Sequence, residues 1–406
     1  MKKIKILFLI GLVIFTMSCK FNEEEKKEED NSGEMYKNYK IDENTLKSAN
    51  LPIVYVQTED NVKILDKENW INATFSISNK DEWNMEETEV TIKGRGNSTW
   101  KQSKRPYNIK FSKKQSLCGM PKGKRWVLIA NYLDNSFMKN HIAFYMARSI
   151  GMDYTVRGEF VNLVLNGNYV GLYWLGESIK VDKNRVNIDE ENEYFIEMDN
   201  WYDETWKFHS AYKNLPYMIK NDDFMTDEKL EYLKNRVSKM ESVLYGKSFT
   251  KTDDYKNYID LNSFAQFYVI NEIMYNKELH YIHSCYFTLK SDGILRASSV
   301  WDFDCGGYNS SNKIVLKNTL YYDALFKLPI FNTKVNDYIE KLNISDISNE
   351  ISSIKSYIEP SVKLDEKRWG KHKNSVGEQK NNFDEYVEYL EKCITDRLDY
   401  MKHNPF

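Results

Sequence analysis

Hydrophobic and polar residues alternate along residues 51–112. LPIVYVQT, ATFSISN, TEVTIKG and RPYNIKFS are short runs rich in β-branched and aromatic residues, separated by charged turns, and this pattern predicts strands. RWVLIANYL at 125–133 is an apolar run of buried-strand length. The period then changes. Met138, Ile142, Tyr145, Met146 and Ile150 stripe one helix face, Asp134 or Asn135 can cap its start, and Gly151 stops it. In FVNLVLNGNYVGLYWLGE, Asn166-Gly167 stands between two alternating runs, a strong hairpin signal. The first 200 residues therefore read as sheet-rich with one main helix. Beyond them, MTDEKLEYLKNRVSKMESVLYG and DLNSFAQFYVINEIMYN carry the 3.6-residue period, and 334–358 and 383–402 predict amphipathic helices. CYFTLK and LRASSVWDF read as two strands joined by a turn at Ser291-Asp292-Gly293.

The chain's start has a different pattern. Met1-Lys2-Lys3 is a positive n-region and residues 4–17 an apolar h-region too short for a comfortable membrane span. Ser18-Cys19 follows, so 1–19 reads as a lipoprotein-type signal with Cys19 as the lipidated residue; a plain secretory signal or an uncleaved anchor is the alternative. Either way the body is expected outside the cytoplasm, lipid-anchored to a bacterial membrane or secreted. Residues 20–48, with FNEEEKKEEDNSGE, have almost no apolar periodicity and predict a disordered acidic tether. The remaining cysteines, Cys118, Cys285, Cys305 and Cys393, show no CxxC and predict neither a zinc motif nor a disulfide framework.

Length and composition narrow the class. The 406 residues, 41% hydrophobic and 29% charged, suit a packed globular body larger than one minimal domain. A formal net charge of −3 gives no global case for nucleic-acid binding.

Four stretches carry candidate chemistry. KGRGNSTWKQSKRPYNIKF (93–111) sets glycines around Arg95, a polar turn with Asn97, and then Lys101, Lys104, Arg105 and Lys110. Free backbone N–H groups beside clustered cations make an oxyanion cradle, or else a solvated basic hairpin. Glu177 ends a long apolar strand, where it would hold a phosphate-binding lysine or simply lie at the surface. NKELHYIHSCYF (276–287) crowds Asn276, Glu278, His280, His283 and Ser284 into one loop. Glu278 there can accept a proton from a hydroxyl; the two histidines alternatively suggest a metal site, and a polar loop satisfied by backbone remains open. WDFDCGG (301–307) closes the set. Continued strand geometry would turn Asp302 and Asp304 to one face and Trp301 and Phe303 to the other. Two carboxylates that close favour a cation, and hard oxygen ligands suit Mg²⁺ or Mn²⁺. Gly306 and Gly307 let the backbone turn away.

GRGNSTW with KRPYNIKF, WVLIANYLDNSFMKNHIAFYMA, VLNGNYVGLYWLGESI, and NEIMYNKELHYIHSCYF followed by VWDFD occur in order over about residues 90–305. On these the chain resembles the CotH family, named for a spore-coat protein kinase with an atypical kinase fold. The resemblance implies an α+β, two-lobed atypical protein-kinase-like fold, with a β-rich N-lobe at 49–200 and a helical C-lobe at 201–406. It implies ATP-dependent phosphoryl transfer to Ser or Thr of a secreted or surface protein. Asp302 corresponds to the metal-binding aspartate with Asp304 assisting, and Glu278 to the base. The phosphate-holding segment runs from Arg95 through Asn97 to Lys110, with Lys104 the first choice of lysine, Lys110 the second, and Glu177 its ion-pair partner. The best-known members carry Asp at the base position, where this chain has Glu278. An added methylene shifts the oxygen by about a bond length, a displacement that can cost on the order of 10²-fold in rate. A weak kinase, or an inactive one acting as a structural or binding protein, is thus the alternative, and transfer of another part of a nucleotide is a third reading.

Overall fold

The computed structural model describes residues 32–304, 306–370 and 380–406. Seven strands, β1 (Ile53–Thr58), β2 (Ile71–Ser78), β3 (Met85–Gly94), β4 (Tyr107–Gln115), β5 (Gly123–Ile129), β6 (Gly158–Leu165) and β7 (Asn168–Glu177), close into a barrel of order β1-β2-β3-β4-β5-β7-β6. Every pairing is antiparallel except the closing one, where β1 runs parallel to β6 with Val54 opposite Leu163 and Val56 opposite Leu165. The period-2 pattern fills the interior: Phe75, Ile92, Ile109, Phe111, Trp126 and Leu128 are buried there, while Lys110 on β4 faces out. Asn166 (φ +50°) and Gly167 (φ +70°) form the two-residue turn between β6 and β7, with Leu165 opposite Asn168, as the Asn-Gly signal predicts. Closure of the sheet was not visible in the strand pattern, because the β1–β6 pairing joins segments more than a hundred residues apart.

The helices are α1 (Ser32–Met35), α2 (Glu43–Ser48), α3 (Lys139–Ser149), α4 (Asp227–Leu244), α5 (Leu261–Ile273), α6 (Glu278–Tyr281), α7 (Tyr322–Leu325), α8 (Pro329–Glu340), α9 (Ile344–Trp369) and α10 (Phe383–His403). A second sheet straddles the expected boundary at residue 200, joining the two expected strands at 285–297 to three that were not expected. Its strands β8 (Tyr194–Met198), β9 (Lys207–His209), β10 (Pro216–Ile219), β11 (Cys285–Leu289) and β12 (Leu295–Ala297) lie in the order β12-β11-β8-β10-β9. β8 to β10 escape the pattern because they are short and, in β8 and β10, buried on both faces. The stretch 334–358 is two helices, parted at Lys341–Asn343, where the Asn343 side chain caps α9.

Residues 20–48 do not read as a tether throughout. α1 and α2 fall inside the described part, with Met35 and Leu46 buried. Tyr39 N donates to Asn168 Oδ1 (3.1 Å) and Arg368 Nη2 to the Glu34 carbonyl (2.7 Å), so this stretch rests on the barrel and α9. The signal segment 1–19, Cys19 and the tether up to residue 31 lie outside the described residues. No helix among the described residues is long and apolar enough to cross a membrane.

Candidate functional site

α3 starts the site. Asp134 Oδ2 accepts from Lys139 N (2.9 Å) and Asp134 Oδ1 from Ser136 N (2.9 Å), so Asp134 caps α3 from outside the helix. That fixes Lys139 and Asn140, which face the acidic turn. Asn140 Nδ2 donates to Asp304 Oδ1 (2.9 Å), while Asn140 Oδ1 accepts from Phe303 N (3.0 Å). Lys139 Nζ donates to the Asp304 carbonyl (2.8 Å) and sits 3.8 Å from the centre of the Tyr308 ring.

The acidic turn itself differs from expectation. β12 ends at Ala297, so WDFD is not strand, and Asp302 adopts a left-handed backbone (φ +63°). The two carboxylates are brought to one place by this turn and by Asn140, not by alternation. Phe303 is the buried anchor, and Trp301 stacks on Phe144 (5.7 Å). Gly307, at φ +78°, gives its N–H to the Met274 carbonyl (2.6 Å), a conformation and approach that favour glycine. Burial pushes the Asp302 carboxyl well above the carboxylate range, and Asp304, Glu278 and Asp199 push the same way, with Arg95 opposing. Asp304 is also raised, by burial first and then by Asp134, with Lys139, Asn140 and Arg95 opposing. Burial and mutual repulsion thus disfavour two ionised carboxylates here, a cost that a bound cation would relieve. No group of three His, Cys, Asp or Glu among the described residues could hold a metal by itself. Two carboxylates plus phosphate oxygens and water nevertheless form the donor set that Mg²⁺ ordinarily takes.

Glu278 opens α6 and faces this turn. Its N–H donates to Asn276 Oδ1 (3.3 Å), and Asn276 Nδ2 reaches the Asp302 carbonyl (3.5 Å) and Asn271 Oδ1 (3.0 Å), so Asn276 links the loop to the turn. His283 does not join His280 in a metal site: its Nδ1 pairs with Asp199 Oδ1 (2.9 Å), and His280 is exposed. Asp199, at the end of β8, also accepts from Ser284 N (2.8 Å), which pins a loop holding Ile282 and Ser284 at positive φ.

Of the basic segment, Arg95 carries a charge that acts on the acids. Its guanidinium lies 5.3 Å from the Trp301 ring, and Asp302, Asp304 and Tyr286 all favour its charge against burial. Asn97 accepts from Lys67 Nζ (2.8 Å). Lys110 is exposed on the barrel exterior, cross-strand from Thr91 and Arg125, three residues or roughly 10 Å along β4 from the residue paired to Gly94. Lys104 is held in a buried ion pair: it precedes β4, is fully buried, and bonds Asp365 Oδ2 (2.5 Å) and the Leu172 carbonyl (2.6 Å). Lys104 and Lys110 therefore do not share a strand face. Glu177 holds no lysine among the described residues. It is fully buried, with Arg157 Nη2 at 2.9 Å and Arg185 Nε at 3.8 Å.

Two further lysines lie beside the second sheet. Lys220, after β10, pairs with Glu197 on β8 (2.7 Å) and with Glu204. Glu197 stands opposite Tyr286, the residue that also senses Arg95. Lys180, three residues past Glu177, is depressed by burial and then by Lys220 and Arg125, and no carboxylate bonds it among the described residues. Lys139, Asn140, Glu197, Asp199, Lys180 and Lys220 were all missed from sequence. One signal was available: EMD at 197–199 places two acids two apart at the end of the buried strand β8, the same acid spacing as DFD at 302–304.

Comparison with known proteins adds the family. The family model described as CotH kinase protein matches residues 92–401. No curated protein matches the chain in sequence. Among solved structures, one titled as the crystal structure of the Golgi casein kinase is similar at 10% identity and a TM-score of 0.29, covering 88% of this chain and 76% of that one. A likeness that low carries no argument about fold. The family match spans β3 to α10, including Arg95, Asn140, Glu278 and the acidic turn, and the chain thus belongs to the CotH kinase family.

Proposed function

We propose that the chain is a CotH-type kinase that transfers the γ-phosphoryl of ATP to a Ser or Thr hydroxyl of a secreted or surface protein. The observation that carries this is the acidic turn: Asp302 and Asp304, short of positive charge, share one place with Arg95 and Glu278. The barrel (within 49–200) and the helix-rich remainder (201–406) act as the two lobes, with Arg95 the barrel's contribution to the cleft. Asp302 and Asp304 hold Mg²⁺ or Mn²⁺, which when bound supplies charge neutralisation at the phosphates. Arg95 binds phosphate oxygens, and Lys180 and Lys220 add positive potential along the same side. Asn140 and Lys139 fix Asp304 so that its carboxylate need not reorganise during reaction. Glu278 orients the acceptor hydroxyl and takes its proton. Residues 1–19 serve as a lipoprotein signal with Cys19 as anchor, which places the body outside the cytoplasm at the membrane.

The test is an autophosphorylation and ATP-binding comparison of the wild type, Asp302→Asn and Glu278→Gln. Asp302→Asn is expected to remove Mg-ATP binding, and Glu278→Gln to keep binding but lose transfer. If the wild type binds no nucleotide and Asp302→Asn changes nothing, the enzyme reading fails. An AMP-mass adduct without a phosphate-mass adduct would show that the other part of the nucleotide is transferred. The longer Glu278 side chain favours a second reading, a binding protein on the same fold; nucleotide binding without transfer in the wild type would support it.

A further inference from the structure

Asp199 and His283 form a pair beside the acidic turn that the proposed transfer leaves without a task. His283 stands in the loop between α6 and β11, and the turn after β8 grips that loop. Asp199 Oδ1 accepts from Trp201 N (2.8 Å) and from His283 Nδ1 (2.9 Å), and Asp199 Oδ2 accepts from Ser284 N (2.8 Å). Asn200 N donates to the Ile282 carbonyl (2.9 Å), and the Trp201 ring centre lies 6.1 Å from that of the imidazole. A carboxylate only accepts, so Nδ1 carries a hydrogen and is spent on Asp199, which fixes the ring's orientation.

Nε2 is left over. It has no hydrogen-bond partner among the described residues and is open to solvent, on a side chain 27% exposed. Its surroundings are those of the site. The Asp199 hydrogen bond raises the imidazole above its usual range against burial, and the charges of Asp199, Glu278 and Asp302 act in the same direction. Asn276 ties the other end of the loop to the acidic turn through the Glu278 N–H and the Asp302 carbonyl. His283 is thus a cation held near both the proposed base and a proposed metal ligand. With both ring nitrogens protonated it can donate but cannot take a hydroxyl proton.

We propose that His283 is a catalytic residue of the transfer, donating a hydrogen bond from Nε2–H to an oxygen of the γ-phosphoryl group, with Asp199 holding the ring in place. This rests on the kinase reading above. The proton stays on Nε2; the bonds that change are the one from phosphorus to the ADP oxygen, which breaks, and the one to the acceptor oxygen, which forms. A donor already fixed through its other nitrogen meets the phosphoryl charge without reorganising.

The experiment compares the wild type, His283→Asn and His283→Gln for autophosphorylation rate at saturating ATP, Mg-ATP binding and thermal midpoint. An Asn amide can replace the Nδ1 donor to Asp199 but leaves nothing at Nε2, whereas a Gln amide reaches the Nε2 position. His283→Asn is expected to keep its midpoint and bind Mg-ATP within a few-fold of the wild type, yet lose about 10²-fold in rate, the usual cost of one such donor. His283→Gln is expected to recover part of the rate despite a lower midpoint. A second readout is independent of turnover: Mg-ATP should slow modification of His283 by diethyl pyrocarbonate, followed by mass spectrometry. A wild-type rate in His283→Asn, or no protection of His283 at saturating Mg-ATP, would overturn the proposal and leave the kinase reading standing. A wild type that neither binds Mg-ATP nor transfers phosphate would overturn both.

Discussion

Replacing Lys104 by Met separates a phosphate-binding lysine from a structural one. Lys104 Nζ sits between Asp365 Oδ2 (2.5 Å) and the Leu172 carbonyl (2.6 Å), and Asp365 Oδ2 also accepts from Leu172 N (2.7 Å). Both side chains are fully buried, and Gly171 (φ +121°) leaves the space that the pair occupies. Removing one partner of a buried pair strands the other charge, at a cost of about 3–5 kcal/mol. A unit of this size unfolds with an entropy of roughly 0.8 kcal/mol/K, so the midpoint should fall by about 4–6 °C. Asp365→Asn should cost a similar amount. The double variant Lys104→Met/Asp365→Leu should recover much of the loss, because two apolar groups leave no uncompensated charge. The assays are thermal unfolding and equilibrium ATP binding on the same samples. If Lys104→Met leaves the midpoint unchanged and abolishes ATP binding, the structural assignment is wrong and Lys104 is the phosphate lysine.

Other outcomes follow from the same geometry. Asn140→Ala removes one bond to the Asp304 carboxylate and one from Phe303 N, and should cost about 2–3 kcal/mol in urea unfolding and weaken Mg²⁺-dependent nucleotide binding. Glu278→Asp should raise the rate of autophosphorylation, by up to about 10²-fold, if the extra methylene misplaces the base; an equal or lower rate counts against a detuned base. Burial lifts the Glu159 carboxyl to about 7, so the folded state holds its proton more tightly than the unfolded chain and stability falls as pH rises from about 4.5 towards 7. Glu159→Gln should therefore be near neutral in stability at pH 4 and more stable than the wild type at pH 8, in paired thermal scans; equal midpoints at pH 8 would refute this.

Residues, rather than elements, separate what was legible in sequence from what was not. β1 to β7, α3 and the Asn166-Gly167 turn were legible, because period-2 and 3.6-residue patterns record which face of a local segment is buried. Asp302, Asp304 and Glu278 stood out as well, because WDFD and the Asn-x-Glu loop set polar groups beside apolar anchors such as Phe303, whereas Glu197 and Asp199 did not. The cations opposite the acids were not legible. Lys104, Lys110 and Arg95 look alike in a basic stretch, yet Arg95 faces the acids, Lys110 lies outside the barrel, and Lys104 meets Asp365, 261 positions away. Glu177 similarly receives Arg157 and Arg185 in place of a lysine.

By itself, then, the sequence determined β1 to β7, α3, the anchors of the acidic turn and the family resemblance, all properties written into contiguous residues. Only the tertiary structure decided barrel closure, the second sheet, the Asn140–Asp304 clamp, and which cations face carboxylates and which are spent in the core. The physical reason is that a charge's role depends on its burial and on its partner. In this chain the partners of Lys104 and Asp304 come from segments 261 and 164 residues away, and only the folded chain brings them together.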